Sequence, residues 1–127
     1  MTIVVAYADT PPGRAALNLA AQEALHRKTS LIAVPAVSGT SLTESELTDR
    51  LGAAGAEIVA AGGTVSVGSS DLHDPADAVI QVAQQVDATL ICLGLRHRSP
   101  VGKLLLGSTA QRILLDATCP VLSVKAD

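Results

Sequence analysis

Short apolar runs alternate with helix-like segments along the whole chain, and this alternation limits the possible folds more than any other feature. The runs predict five strands, at residues 2–8, 30–35, 64–67, 88–93 and 121–125. The segments between them predict four helices: residues 11–28, residues 42–61, a helix that begins at residue 75, and residues 108–116. Repeated strand–helix alternation predicts α/β architecture, with a doubly wound five-stranded parallel sheet and helices on both faces.

Local signals support the helix assignments. Thr10 is a predicted N-cap before Pro11, and Asp74 is a predicted N-cap before Pro75. The spacing of Leu47, Leu51, Ala54 and Ile58 on one face predicts a single helix over residues 42–61.

The 127 residues fit one domain, residues 1–127. One Tyr, no Phe and no Trp leave no platform for stacking bases, and a net charge of -3 argues against nucleic acid and anionic membranes as partners. With no apolar run of membrane-spanning length and no basic leader, we expect a soluble, cytoplasmic protein. Cys92 and Cys119 lie in apolar runs, which favours buried reduced thiols over a disulfide.

A loop with four basic side chains separates the fourth strand from the last helix. The loop contains Arg96, His97, Arg98 and Lys103, and the helix opens with Gly107-Ser108-Thr109. The amides at a helix start carry a partial positive charge, so this segment could hold an anion. The alternative is that the basic side chains are solvated and that Gly94, Pro100 and Gly107 only shape turns.

Other candidate sites have simpler explanations. His73 with Asp71, Asp74 and Asp77 resembles a metal cluster. Because Asp74 already has a predicted role as a helix cap, a metal site is the less favoured interpretation. The sequence places no histidine near Ser99 or Ser108, so no nucleophile–base pair is predicted. We therefore expect no catalytic residues and no enzymatic activity.

The chain resembles small, single-domain members of the universal stress protein family. The resemblance rests on residues 4–6 with the loop 10–17, on the segment 94–108, and on the ending 119–125. The resemblance implies the strand order 3-2-1-4-5 and a site for ATP or another adenine nucleotide. It also implies a cytoplasmic homodimer that forms through the last strand, from Val121 to Lys125. That order places the loops after the first and fourth strands side by side, at the sheet position where ligands bind.

The nucleotide signature of this family is Gly, two residues, Gly, nine residues, Gly, then Ser or Thr. Gly94 and Gly107-Ser108 match it, whereas His97 replaces the middle glycine. Family members that bind ATP commonly carry an Asp at the end of the first strand, near the ribose and metal. Ala8 takes this position, with Asp9 one residue later. Since one residue reverses the side-chain direction in a strand, Asp9 need not substitute.

The resemblance implies candidate nucleotide-binding residues at both halves of the site. The residues expected around the phosphates are Gly94, Arg96, His97, Gly107, Ser108 and Thr109. Those expected near the nucleoside are Tyr7, Ala8 and Val34. The favoured hypothesis is a non-enzymatic, dimeric stress-response protein that acts through protein partners and whose nucleotide site is altered or vestigial. The alternatives are a sensor that binds ATP or AMP, with Mg²⁺, and a weak ATP hydrolase that uses Asp9 for the metal.

Overall fold

A five-stranded parallel sheet forms the centre of the protein. The computed structural model describes residues 1–36, 41–96 and 107–126. The strands are β1 (Thr2–Tyr7), β2 (Ser30–Pro35), β3 (Val65–Val67), β4 (Leu90–Arg96) and β5 (Val121–Ala126). The helices are α1 (Pro11–Arg27), α2 (Glu44–Leu51), α3 (Ala53–Ala60), α4 (Pro75–Gln85) and α5 (Ser108–Asp116).

The strand order is β3-β2-β1-β4-β5, and each described neighbouring pair is parallel. This order confirms the predicted doubly wound sheet. Because β1 lies between β2 and β4, the chain reverses its direction of travel across the sheet beside β1. The ends of β1 and β4 therefore flank the position where ligands of such sheets bind.

Two apolar cores lie on opposite faces of the sheet. Along β1, Ile3 and Val5 face the core that contains α1, α2 and α3, whereas Val4 and Ala6 face the core that contains α4 and α5. The strand is buried on both faces, which explains its uninterrupted apolar sequence. Alanines on α1 let that helix lie close to the sheet, so a chain without Phe or Trp still fills its cores.

The helix starts follow the predicted capping residues. The Thr10 hydroxyl accepts a hydrogen bond from the Gly13 amide at 3.2 Å. The Asp74 carboxylate accepts from the Ala76 amide at 2.9 Å and from the Asp77 amide at 3.2 Å. These contacts satisfy amides that have no partner inside their own helices, and they confirm both predicted caps.

The predicted helix over residues 42–61 is wrong, because the structure has two helices there. Gly52 separates α2 from α3 with φ 57° and ψ -132°, a conformation that only glycine adopts without strain. A capping box at Thr43, closed by Glu46, starts the first of the two helices. The apolar period continued across Gly52, which is why the pattern looked like one helix.

The predicted fourth strand, residues 88–93, also needs correction. β4 begins at Leu90 and continues to Arg96, because β5 stays in register with it as far as Arg96 opposite Ala126. Gly94 is therefore a strand residue, not the first residue of a loop.

Both cysteines are free thiols in the structure, but only Cys92 is buried as predicted. Cys92 is fully buried in the core on the α1 side, and burial raises the pKa of its thiol to about 12. Cys119 is half-buried, and its pKa is raised for the same reason. Among the described residues, no helix has the length and apolar character needed to cross a bilayer.

Candidate functional site

The first turn of α1 packs directly on the backbone at the end of β1 and β4. A Cβ atom on Gly13 would lie 1.9 Å from the Ala8 carbonyl oxygen. A Cβ atom on Gly94 would lie 2.0 Å from the Pro12 carbonyl oxygen. Both distances are far below van der Waals contact, so neither position has room for a side chain. This packing requires glycine at 94 whether or not a ligand binds.

Ala8 follows the last residue of β1 and is 9 % exposed. Its methyl group offers no ligand for a metal and no hydrogen bond to a sugar. The next residue, Asp9, is exposed, and its carboxylate contacts two arginines. The Arg14 Nη1 atom lies 3.1 Å from Asp9 Oδ1, and the Arg50 Nη2 atom lies 3.5 Å from Asp9 Oδ2. Arg14 and Arg50 therefore pair with the carboxylate that directly follows Ala8.

Tyr7 anchors one of these arginines. Its side chain is 1 % exposed, and its hydroxyl accepts a hydrogen bond from the Arg50 Nε atom. The Arg50 guanidinium carbon also lies 5.9 Å from the centre of the Tyr7 ring, within range of a cation–π contact. The hydrogen bond with Tyr7 raises the pKa of Arg50, as does the charge of Asp9. Tyr7, Asp9, Arg14 and Arg50 form what we call the Tyr7–Asp9 cluster.

Sequence reasoning missed Arg50, which lies 43 positions from Tyr7 in the chain. One available signal was the aromatic residue itself, because a buried phenol hydroxyl usually finds a hydrogen-bond partner. That signal predicts a partner but does not identify it.

The structure separates two of the residues expected near the nucleoside. The Tyr7 side chain lies in the core on the α1 side of the sheet, whereas Val34 lies in the core on the α4 side and is 1 % exposed. Their strands are adjacent, and the Ala36 amide donates to the Tyr7 carbonyl oxygen at 2.7 Å. The two residues thus share an edge of the sheet, but their side chains face different layers.

The second half of the candidate site lies at the start of α5. Arg96 is exposed at the end of β4, and Gly107 occupies the N-cap position of α5 with φ 77°. Among the described residues, no side chain accepts a hydrogen bond from the amides at this helix start. Ser108 is exposed and Thr109 is half-buried. These features suit the approach of an anion. His97, Arg98 and Lys103 lie outside the described residues.

Comparison with known proteins gives a consistent result. A family model described as "Universal stress protein family" matches residues 1–125. A universal stress protein of Mycolicibacterium smegmatis is 36% identical over 125 residues, which cover 97% of this chain and 96% of that protein.

Solved structures of universal stress proteins share the fold. One from Archaeoglobus fulgidus has a TM-score of 0.70 at 28% identity and covers 98% of this chain and 97% of its own. An Archaeoglobus fulgidus universal stress protein in complex with dAMP has a TM-score of 0.60 at 22% identity, covering 98% and 96% of the two chains. At that identity the second likeness establishes the fold alone.

The contact between Gly94 and Pro12 predicts a large loss of stability for Gly94→Ala. The added methyl group would meet backbone atoms, which cannot rotate away, so α1 must shift from the sheet. We expect the free energy of unfolding in urea, followed by circular dichroism, to fall by about 3 kcal/mol or more. Gly62→Ala is the control, because its Cβ atom would meet nothing within 4 Å. Its positive φ should reduce stability by only about 1–2 kcal/mol. Equal losses in the two variants would contradict the packing argument.

Proposed function

Because this chain belongs to the universal stress protein family, we propose that it is a homodimeric stress-response protein with an altered adenine-nucleotide site. It acts through contacts with other proteins and not through catalysis. Family membership does not by itself establish the state of the nucleotide site, the absence of catalysis or the dimer. Each of these has its own support.

The environment of Asp9 carries the proposal of an altered site. The family's ATP-binding pattern has a carboxylate at the position of Ala8, near the ribose and the metal. In this chain that position is a methyl group, and the neighbouring carboxylate makes ion pairs with Arg14 and Arg50. A divalent cation at Asp9 would have to displace both arginines and then remain beside two positive charges. That electrostatic cost disfavours Mg·ATP.

The same contacts argue against hydrolysis. A metal-dependent hydrolase needs a carboxylate at the phosphate end of the site to hold the cation. Asp9 is the candidate that the sequence offers there, and its carboxylate already faces two guanidinium groups. The buried thiol of Cys92 is a poor nucleophile, because its pKa of about 12 keeps it protonated at neutral pH.

A nucleotide sensor is the second candidate function. The open start of α5, at Gly107, Ser108 and Thr109, supports it. So does the dAMP complex of a protein with the same fold. A monophosphate needs less charge neutralisation than ATP, so a sensor of this kind could work without the missing metal ligand.

The dimer proposal rests on the edge of the sheet. β5 ends the strand order, and Val121, Leu122 and Val124 remain half-exposed there. The Ile91 amide donates to the Pro120 carbonyl at 3.0 Å, so alternation along β5 directs the Leu122 amide toward β4. The Ser123 amide then points away from the sheet. An edge with outward amides and apolar side chains favours pairing with a second copy of the chain.

Absorbance and calorimetry test the proposed state of the nucleotide site. With one Tyr and no Trp, the protein absorbs weakly in the near ultraviolet, so bound adenine would dominate its spectrum. We expect purified protein to show no adenine absorbance, and titration with ATP to release no saturable heat that requires Mg²⁺. The double variant Ala8→Asp with His97→Gly restores the two altered positions and should gain Mg·ATP binding.

Ala61→Asp, combined with His97→Gly, is the matched control for that gain. It adds the same charge at an exposed position after α3, away from the ends of β1 and β4. Adenine carried through purification by the wild-type protein, or a saturable heat that requires Mg²⁺, would contradict the proposal and favour the sensor.

A proline substitution tests the dimer surface. Ser123→Pro removes an amide that points away from β4, so the β4–β5 hydrogen bonds stay intact while pairing with a partner strand is blocked. Size-exclusion chromatography with light scattering should show a wild-type dimer and a folded Ser123→Pro monomer. Leu122→Pro removes an amide directed at β4 and should lower stability instead. A monomeric wild-type protein, or a dimeric Ser123→Pro variant, would exclude this surface.

A further inference from the structure

The Tyr7–Asp9 cluster places two guanidinium groups around one carboxylate. Arg14 contacts Asp9 Oδ1 and Arg50 contacts Asp9 Oδ2, so each arginine meets a different oxygen of the same anion. We propose that Arg14 and Arg50 form a metal-independent site for a phosphate group, which the Asp9 carboxylate fills when no ligand is present. The inference goes beyond the altered nucleotide site, because it names a ligand chemistry that needs no cation.

The geometry of the ion pairs supports this assignment. Guanidinium groups bind carboxylate and phosphate in the same way, through N–H groups directed at separate oxygens of one anion. Two oxygens of a phosphate are spaced much like the two oxygens of Asp9. The arrangement of Arg14 and Arg50 that fits the carboxylate therefore fits a phosphate as well.

Tyr7 fixes the orientation of Arg50. The Nε atom donates to the buried Tyr7 hydroxyl, which directs the terminal nitrogens toward Asp9. An arginine held at its Nε atom loses less conformational freedom when an anion binds, so the site is partly pre-organised. Tyr7 is thus a positioning residue, which would act on the anion only through Arg50.

The start of α1 cannot take over this role. Pro11 and Pro12 have no amide hydrogen, and the Gly13 amide donates to the Thr10 hydroxyl. The usual amide donors of a helix N-terminus are therefore missing or engaged. An anion at this end of β1 would depend on the arginine side chains.

Nearby negative charge comes from two carboxylates. Glu46 lies one turn before Arg50 on α2, and its carboxylate accepts from the Thr43 amide at 3.1 Å and from the Thr43 hydroxyl at 3.0 Å. These contacts lower the pKa of Glu46, so it stays ionised and remains in the capping box. Asp9 has no such cap and is the carboxylate that a phosphate would displace.

Asp9→Asn tests the proposal, because it keeps the size of the side chain and removes the competing charge. Inorganic phosphate and AMP are titrated separately, first in EDTA and then with Mg²⁺, and the arginine Nε–H signals are followed by NMR. Since the cluster is exposed, we expect the wild-type protein to bind phosphate only weakly. Asp9→Asn should tighten the binding of both probes roughly tenfold and shift the Arg50 signal.

Glu23→Gln is the matched control, because Glu23 pairs with Arg27 at the other end of α1 and should not change phosphate binding. In the Asp9→Asn background, Arg50→Ala should abolish the gain, whereas Arg27→Ala should preserve it. Tyr7→Phe should reduce the gain and broaden the Arg50 signal. Circular dichroism checks that each variant is folded.

Three outcomes would overturn the proposal: equal phosphate affinity in Asp9→Asn and Glu23→Gln, a gain for AMP without a gain for phosphate, or a gain that appears only with Mg²⁺. The proposed function fails on a different result, namely ATP binding by the wild-type protein that requires Mg²⁺. The two failures can therefore be told apart.

Discussion

The structure depends on one close contact, between the first turn of α1 and the backbone of the two central strands. Gly13 lies against the Ala8 carbonyl and Gly94 lies against the Pro12 carbonyl, with no room for a Cβ atom at either glycine. This contact sets the distance of α1 from the sheet and the direction in which the chain leaves β1. Asp9 and Arg14 take their positions from it, because they lie on either side of the packed turn.

A second constraint is the single aromatic residue. Tyr7 is buried where β1 ends, and a buried phenol hydroxyl without a hydrogen bond would be costly. Arg50 satisfies that hydroxyl from α2, and the helix ends one residue later at Leu51, before Gly52. The same guanidinium reaches Asp9. The burial of one hydroxyl thus brings a positive charge to Asp9, one residue after the position at which the family's ATP-binding pattern has an Asp.

The architecture could be predicted from the sequence because apolar residues recur with different periods in strands and helices, and because a helix cap involves only neighbouring residues in the chain. The strand order followed from the family resemblance, and Thr10 and Asp74 cap the helices as predicted. The candidate site was less predictable, because its contacts are not local. Gly94 follows the predicted strand in the sequence, but in the structure it lies within β4, because β5 pairs with β4 as far as Arg96. Arg50 lies on a separate helix, and no local pattern connects it with Tyr7 or Asp9.

The central claim is that the end of β1 and the start of α5 do not jointly bind Mg·ATP. Backbone amide NMR spectra of the wild-type protein, recorded while Mg·ATP is added, test this claim most directly. The account predicts that the amides of Gly107 and Thr109 stay unshifted, with any weak response confined to Ala8 and the Tyr7–Asp9 cluster. Shifts at Ala8 and at Gly107 to Thr109 that saturate together at one ATP concentration would contradict it.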